Sequence, residues 1–142
     1  MVTGSDDSDV AFRPAVGARV PASLGADDEC RLRAYFRGRE ALLRRVVGLF
    51  SESYPRKVAV VRQALRDGDW IAARSMAHQL AGDLGTLQAE RQSLTARRLQ
   101  QACDERSPVE AGLLCEELAT HVGPLVAHLE SIARAASSGA AA

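Results

Sequence analysis

The stretch AHQLAGDLG, residues 77–85, decides how this chain is interpreted. In a helix each residue turns about 100° around the axis, so Leu80 and Leu84 fall on one side of the stretch. Further apolar residues share that side: Met76, Ala77 and Leu87. His78 points to the opposite side, where small residues surround it: Ala81, Gly82, Gly85 and Ala89. The pattern predicts an amphipathic helix that exposes an imidazole with little side-chain bulk beside it.

Two of the small residues, Gly82 and Gly85, are glycines inside the predicted helix, where each costs roughly 1 kcal/mol relative to alanine. Both lie on the predicted solvent side, so packing within the protein does not require them. Close approach by another protein would require them. The pattern therefore indicates an imidazole that handles phosphate in trans. The alternative interpretation is an ordinary surface histidine beside incidental glycines.

The composition limits the fold and the classes of partner. The chain has 142 residues, a formal net charge of zero and 46% hydrophobic residues, with many Ala, Leu and Arg. These properties favour one helical domain and argue against nucleic acid as a partner. No apolar run reaches the roughly 18 residues that a membrane span needs. Three cysteines without metal-type spacing, and a start without a secretory signal, predict a cytoplasmic protein with reduced thiols.

Hydrophobic periodicity predicts a short helix followed by four longer ones, with short connections that favour antiparallel packing. The predicted spans are 27–37, 39–66, 70–86, 89–104 and 108–135. The fold class is therefore all-α, an antiparallel four-helix bundle with a short additional N-terminal helix. We expect residues 1–26 to be a flexible leader or linker, residues 27–135 to form the bundle, and residues 136–142 to be a disordered tail.

Local signals place the helix ends. Pro55 lies inside the second span, where we expect a bend rather than a stop, because no turn cluster accompanies it. Gly68 suits a left-handed position after a helix, and Asp69 suits an N-cap. Ser107 and Pro108 fit an N-cap followed by proline at the first helical position. The side chains predicted to face the core outside the third helix are Cys30, Leu32, Tyr35, Phe36, Leu42, Leu43, Val46, Val47, Leu49, Phe50, Val58, Val60, Val61, Leu65, Leu94, Leu99, Ala102, Leu113, Leu114, Leu118, Val122, Leu125, Val126, Leu129 and Ile132.

The stretch around His78 resembles the signature of the histidine-containing phosphotransfer (HPt) domain family, which is His-x-Leu-Lys-Gly on the third helix, preceded by Ala. Ala77, His78, Leu80 and Gly82 match this signature. Flanking segments are similar to the family at matching spacing: residues 36–50, 65–70 and 99–102. The resemblance covers about residues 27–135.

The resemblance implies a carrier in a two-component phosphorelay. His78 would accept a phosphoryl group from a receiver-domain aspartate and pass it to another receiver. The implied contact surface consists of Arg74, Gln79, Ala81, Gly82 and Gly85, with Gln100 or Gln101 hydrogen bonded near the imidazole. In this family the receiver supplies Mg²⁺, so we expect no cofactor and no metal site on this chain. We expect a monomeric phosphocarrier without autonomous catalysis.

Three residues depart from the family pattern. Ala81 stands where the family usually has Lys, whose ammonium would neutralise phosphate, and Arg74 is a candidate to replace it. Gln88 replaces a common Gly, and Asp83 replaces a small residue. Asp83 brings negative charge toward the phosphorylated face, although its predicted direction is well off His78. These departures keep a second hypothesis open, a degenerate HPt-fold binding module that docks a receiver or another regulator without phosphotransfer.

Other residues that could bind a metal receive simpler interpretations. His121 and His128 are seven residues apart, whereas zinc would need closer spacing and further ligands, so a packing or surface role is favoured. Cys103 and Cys115 are interpreted as buried small hydrophobic residues. A helical metal or cofactor bundle is a third hypothesis with little support.

Overall fold

The computed structural model of the protein describes residues 23–141, with side chains described up to residue 136. Within these residues the chain forms five helices and no strand: α1 (Ala26–Tyr35), α2 (Glu40–Arg66), α3 (Trp70–Thr86), α4 (Glu90–Asp104) and α5 (Pro108–Ala141). Each helix from α2 to α5 packs against the next, and α5 returns to α2. The prediction of an all-α bundle with a short N-terminal helix is confirmed.

All helix ends but one lie within two residues of the predicted spans. The last helix, α5, continues to Ala141, beyond the predicted end near residue 135. Its last residues are mostly alanine and serine, and alanine is the strongest helix former. Residues 1–22, which make up most of the predicted leader, lie outside the described residues. The predicted domain boundaries therefore stay predictions.

Small and branched apolar side chains fill the core. On α3, Ala77, Leu80 and Leu84 are fully buried, and on α4 the same holds for Ala96 and Leu99. Buried alanines let helix backbones approach closely, and the leucines fill the remaining space. This packing fixes the rotation of α3 and α4 about their own axes, and so decides which side chains they present to solvent.

Several apolar residues predicted to face the core are exposed instead. They lie beside buried neighbours at the edge of each apolar face, and the six that are larger than cysteine have exposed fractions from 40% for Val60 to 68% for Leu113. Periodicity predicts the direction in which an apolar face points but not how many residues wide that face is. The residues for which the prediction was wrong are Cys30, Tyr35, Leu42, Leu49, Val60, Leu94 and Leu113.

Pro55 does not end α2, which runs unbroken from Glu40 to Arg66. The following turn agrees with the predicted chemistry. Gly68 has a left-handed φ of 71°, and Asp69 accepts a hydrogen bond from the Ala72 backbone N–H at 3.1 Å. The Asp69 N–H in turn donates to the Ala64 carbonyl at 2.8 Å, which closes α2 in a Schellman motif.

The ends of α3 and α4 use the same motif without glycine. Gln88 follows α3 with a φ of 62°, and Arg106 follows α4 with a φ of 53°. The next residue in each case closes the motif, since Ala89 N–H donates to the Leu84 carbonyl at 2.9 Å and Ser107 N–H to the Ala102 carbonyl at 3.0 Å. Side chains disfavour this backbone region, so both positions are strained.

Replacing Gln88 with glycine should raise the free energy of unfolding by about 0.5–1 kcal/mol. Relief of left-handed strain exceeds the extra entropy that glycine gains in the unfolded chain. Urea unfolding followed by circular dichroism measures the change. Gly68→Ala, at the equivalent position after α2, is the matched control and should lower stability by a similar amount. A Gln88→Gly protein no more stable than the wild type would contradict the prediction.

His128 joins α1 to α5. The Leu24 backbone N–H donates to His128 Nδ1 at 3.1 Å, and His128 Nε2 lies 3.1 Å from Glu29 Oε1. Because Nδ1 accepts a hydrogen bond, the ring proton is on Nε2 and is donated to the carboxylate. A hydrogen bond from Arg33 is the main reason that the pKa of Glu29 is lowered, and His128 contributes. Of the packing or surface role predicted for His128, these contacts show the packing alternative.

Two cysteines and one histidine away from α3 are buried. Cys103 and Cys115 are free thiols in the core, as predicted, and burial raises the pKa of Cys103 to about 11. His121 is buried on α5, and its Nδ1 has no hydrogen-bond partner within the described residues. Burial lowers the pKa of His121, with Glu117 opposing this effect and Arg91 adding to it.

The lowered pKa of His121 predicts acid sensitivity. The unfolded chain binds the proton more readily than the native protein, so this histidine destabilises the fold as pH falls below its ordinary pKa of 6.5. Between pH 7 and pH 5 the wild type should therefore lose more unfolding free energy than His121→Leu. Urea unfolding of both proteins at the two pH values measures the difference. Equal losses in both proteins would show that His121 does not carry this dependence.

Candidate functional site

His78 lies near the middle of α3 and is exposed. The Asp69 cap fixes the start of the helix, and the buried residues Ala77, Leu80 and Leu84 turn one face of it into the core. His78 stands on the opposite face, which is the orientation predicted from the sequence. The ring is therefore accessible to another molecule.

Three polar contacts set the register between α3 and α4, which run antiparallel. Arg74 Nε lies 2.5 Å from Asp104 Oδ1, and His78 Nδ1 lies 3.3 Å from Gln100 Oε1. Farther along the seam, the buried Ser93 hydroxyl donates to the Ala81 carbonyl at 3.0 Å. Moving forward along α3 therefore corresponds to moving backward along α4, and each residue of α3 has a predictable neighbour on α4.

Gln100 selects the tautomer of the imidazole. An amide oxygen can only accept a hydrogen bond, so in the neutral ring His78 Nδ1 carries the proton and Nε2 keeps its lone pair. The sequence left open which of two glutamines would reach the ring. The structure brings Gln100 to it, whereas Gln101 donates instead to Glu105 Oε2 at 2.9 Å.

The imidazole borders a shallow cleft of about 470 Å³. A Cβ added at Gly82 would meet nothing within 4 Å, and one added at Gly85 would meet only Ser93 Oγ, at an ordinary 3.7 Å. Neither glycine is therefore needed by the packing of the chain itself. The complete lining of the cleft is His78, Ala81, Gly82, Gly85, Arg97 and Gln100.

Arg97 is a residue of this cleft that sequence analysis did not identify. It is exposed on α4, and its guanidinium NH2 donates to Ser93 Oγ at 3.1 Å. Its position one turn before Gln100 is the signal that could have revealed it, because residues three apart on a helix share a face. Periodicity within α3 could not reveal it, since Arg97 belongs to another helix.

The remaining predicted contact residues are distributed around the cleft. Arg74 pairs with Asp104 and does not line the cleft. Gln79 is exposed outside it, as is Gln101. Ala89, predicted to lie beside the imidazole, is fully buried, because it is the N-cap of α4 rather than part of α3. That prediction was wrong.

Asp83 does not bring an unpaired negative charge toward the imidazole. Its carboxylate forms an ion pair with Lys57 Nζ of α2 at 2.7 Å. The pair lies in the groove between α2 and α3, which is lined by other residues than the His78 cleft. The departure of Asp83 from the family pattern is therefore compensated locally by Lys57.

Neither a cluster of metal ligands nor a membrane-spanning helix is present in the part of the chain that the structure describes. Among residues 23–141, no three His, Cys, Asp or Glu side chains are grouped so that they could hold a metal ion. In the same part of the chain, none of the helices combines the length and apolar character needed to cross a bilayer.

One of three comparisons with known proteins identifies a family. A family model of the Hpt domain matches residues 45–134, which is more than half of the chain, and the protein therefore belongs to the Hpt domain family. No match was found among curated proteins or among solved structures. Family membership makes the chain a histidine phosphotransfer module of the phosphorelay type, and Hpt domains interact with receiver domains.

Replacing Gly82 with alanine should separate stability from partner binding. The free energy of unfolding should rise by about 0.5–1 kcal/mol, because alanine is the better helix former and its methyl group meets no atom of the chain. Binding to a receiver domain should weaken about tenfold, since the methyl group occupies the space for close approach. Urea unfolding and titration calorimetry measure the two effects.

Gly48→Ala on α2 is the matched control, because a Cβ there also meets nothing within 4 Å. It should give the same gain in stability with unchanged binding. If Gly82→Ala binds the receiver as tightly as the wild type, the glycine does not serve close approach.

Proposed function

We propose that this protein carries a phosphoryl group on His78 between receiver domains. It would accept the group from an aspartyl phosphate on one receiver and deliver it to the aspartate of another. The observation that carries the proposal is the contact between Gln100 and His78 Nδ1 on an exposed, glycine-bordered face. That contact leaves the Nε2 lone pair free for attack.

The transfer is an in-line substitution at phosphorus. The Nε2 lone pair of His78 forms the N–P bond while the O–P bond to the receiver aspartate breaks, and the bonding pair leaves with the carboxylate. The Nδ1 proton stays on the ring, hydrogen bonded to Gln100 Oε1. Transfer to the next receiver reverses these steps with a new aspartate as nucleophile.

The imidazole is the one group of this site that forms a bond to phosphorus. The other residues of the site position the reactants. The transition state of phosphoryl transfer is loose, so alignment and charge neutralisation are the main requirements. Gly82 and Gly85 let the receiver approach, and Gln100 orients the ring. The receiver supplies Mg²⁺ in this proposal, and the present chain acts as a monomeric cytoplasmic phosphocarrier without autonomous catalysis.

A second candidate function is supported by Ala81. At this position the family usually has a lysine, and its loss removes a cation one turn from the histidine. A domain that docks a receiver or another regulator without accepting phosphate would tolerate this loss. The two candidates share the docking face and differ in whether His78 becomes phosphorylated.

Incubation with phosphorylated receivers from the same organism distinguishes the two functions. The wild type should gain label that is stable in base and lost in acid, as expected for a phosphoramidate, and His78→Gln should gain none. Circular dichroism of the variant controls for folding. Receiver binding by the wild type without any label would contradict phosphotransfer and support the docking module.

A further inference from the structure

We propose that Arg97 is the residue that binds the phosphoryl group on His78, supplying from α4 the positive charge that α3 lacks. The inference rests on the phosphotransfer function proposed above and extends it to a second residue. Its basis is the position of Arg97 in the same cleft as the imidazole, one helix away from it.

The register between the helices places Arg97 opposite Ala81. His78 meets Gln100, and Ser93 meets the Ala81 carbonyl, so the turn of α4 between them faces the turn of α3 that follows the histidine. Ala81 has a side chain of one carbon and leaves this turn open. The guanidinium can therefore reach the space beside the imidazole without displacing a larger side chain.

Ser93 holds the arginine in place. Its hydroxyl is fully buried, donates its one hydrogen to the Ala81 carbonyl at 3.0 Å, and accepts from Arg97 NH2 at 3.1 Å. This single contact uses one of the five guanidinium N–H groups. The others are available to phosphate oxygens, whose geometry matches the planar guanidinium fork.

Arg97 is also not committed to an ion pair. Within the described part of the chain no carboxylate pairs with it, although Glu90 and Asp28, which pairs with Arg31, border a neighbouring cleft that Arg97 also lines. Two other cations at α3 are committed to ion pairs, since Arg74 pairs with Asp104 and Lys57 with Asp83. Of the residues that line the His78 cleft, Arg97 is the one with a positive charge.

A guanidinium in this position has two measurable effects. It stabilises the charge on the transferring phosphoryl group and so speeds transfer in both directions. It also favours the dianionic over the monoanionic form of the phosphoryl group on His78, which lowers the second pKa of that group. A residue that only supported the helix would not produce the second effect.

The test compares Arg97→Gln with the wild type in two measurements. Transfer from a phosphorylated receiver should slow about tenfold, the effect expected for one charge-assisted contact. In a ³¹P NMR titration of the phosphorylated protein, the second pKa of the phosphoryl group should rise. Arg97→Lys should retain most of the wild-type behaviour, because it keeps the charge.

Two further variants sharpen the test. Arg98→Gln removes the same charge from the neighbouring exposed position, which does not line the cleft, and should leave both measurements unchanged. Ala81→Lys in the Arg97→Gln background returns a cation to the same space from α3. It should restore the transfer rate and the lowered phosphoryl pKa.

The outcomes separate this inference from the proposed function. If the wild type is labelled and Arg97→Gln matches it in rate and titration, Arg97 does not bind phosphate, and His78 keeps its role. If Arg97→Gln transfers slowly but the second pKa of its phosphoryl group is unchanged, Arg97 only supports the helix. This outcome also overturns the inference. If the wild type is never labelled, both the proposed function and this inference fail.

Discussion

The antiparallel seam between α3 and α4 is the constraint on which the site depends. Buried alanine and leucine side chains on both helices fix their rotation, and polar contacts at intervals along the seam fix their register. Once the seam is set, Gln100 stands at His78 and Arg97 stands at Ala81. A slip of one residue would turn each side chain by about 100° and separate these groups.

Much of the fold could be predicted because local signals and global packing agree. The 3.6-residue period of Leu80 and Leu84 gave the buried face of α3, and with it the exposure of His78. The turn at Gly68 and Asp69 was predictable because each residue type suits one backbone geometry. Such signals are contained within a few consecutive residues, and a single sequence displays them directly.

The features that escaped prediction depend on relations between helices. Leu94 and Leu113 are exposed because the width of a bundle seam is set by the neighbouring helix, not by the period of their own. The left-handed backbone at Gln88 could not be predicted, because the residue there is not a glycine. Arg97 joins the site only through the register of α4 on α3, which no pattern within one helix encodes.

The buried hydroxyl of Ser93 restricts what evolution can place at that position. The residue must be small, because it faces Gly85 across the seam, and it must both donate to a backbone carbonyl and accept from a guanidinium. Alanine fails the second requirement, and threonine adds a methyl group to a fully buried site. Serine therefore links the backbone of α3 to the arginine of α4. Relatives that lose this serine are expected to lose the arginine four residues later as well.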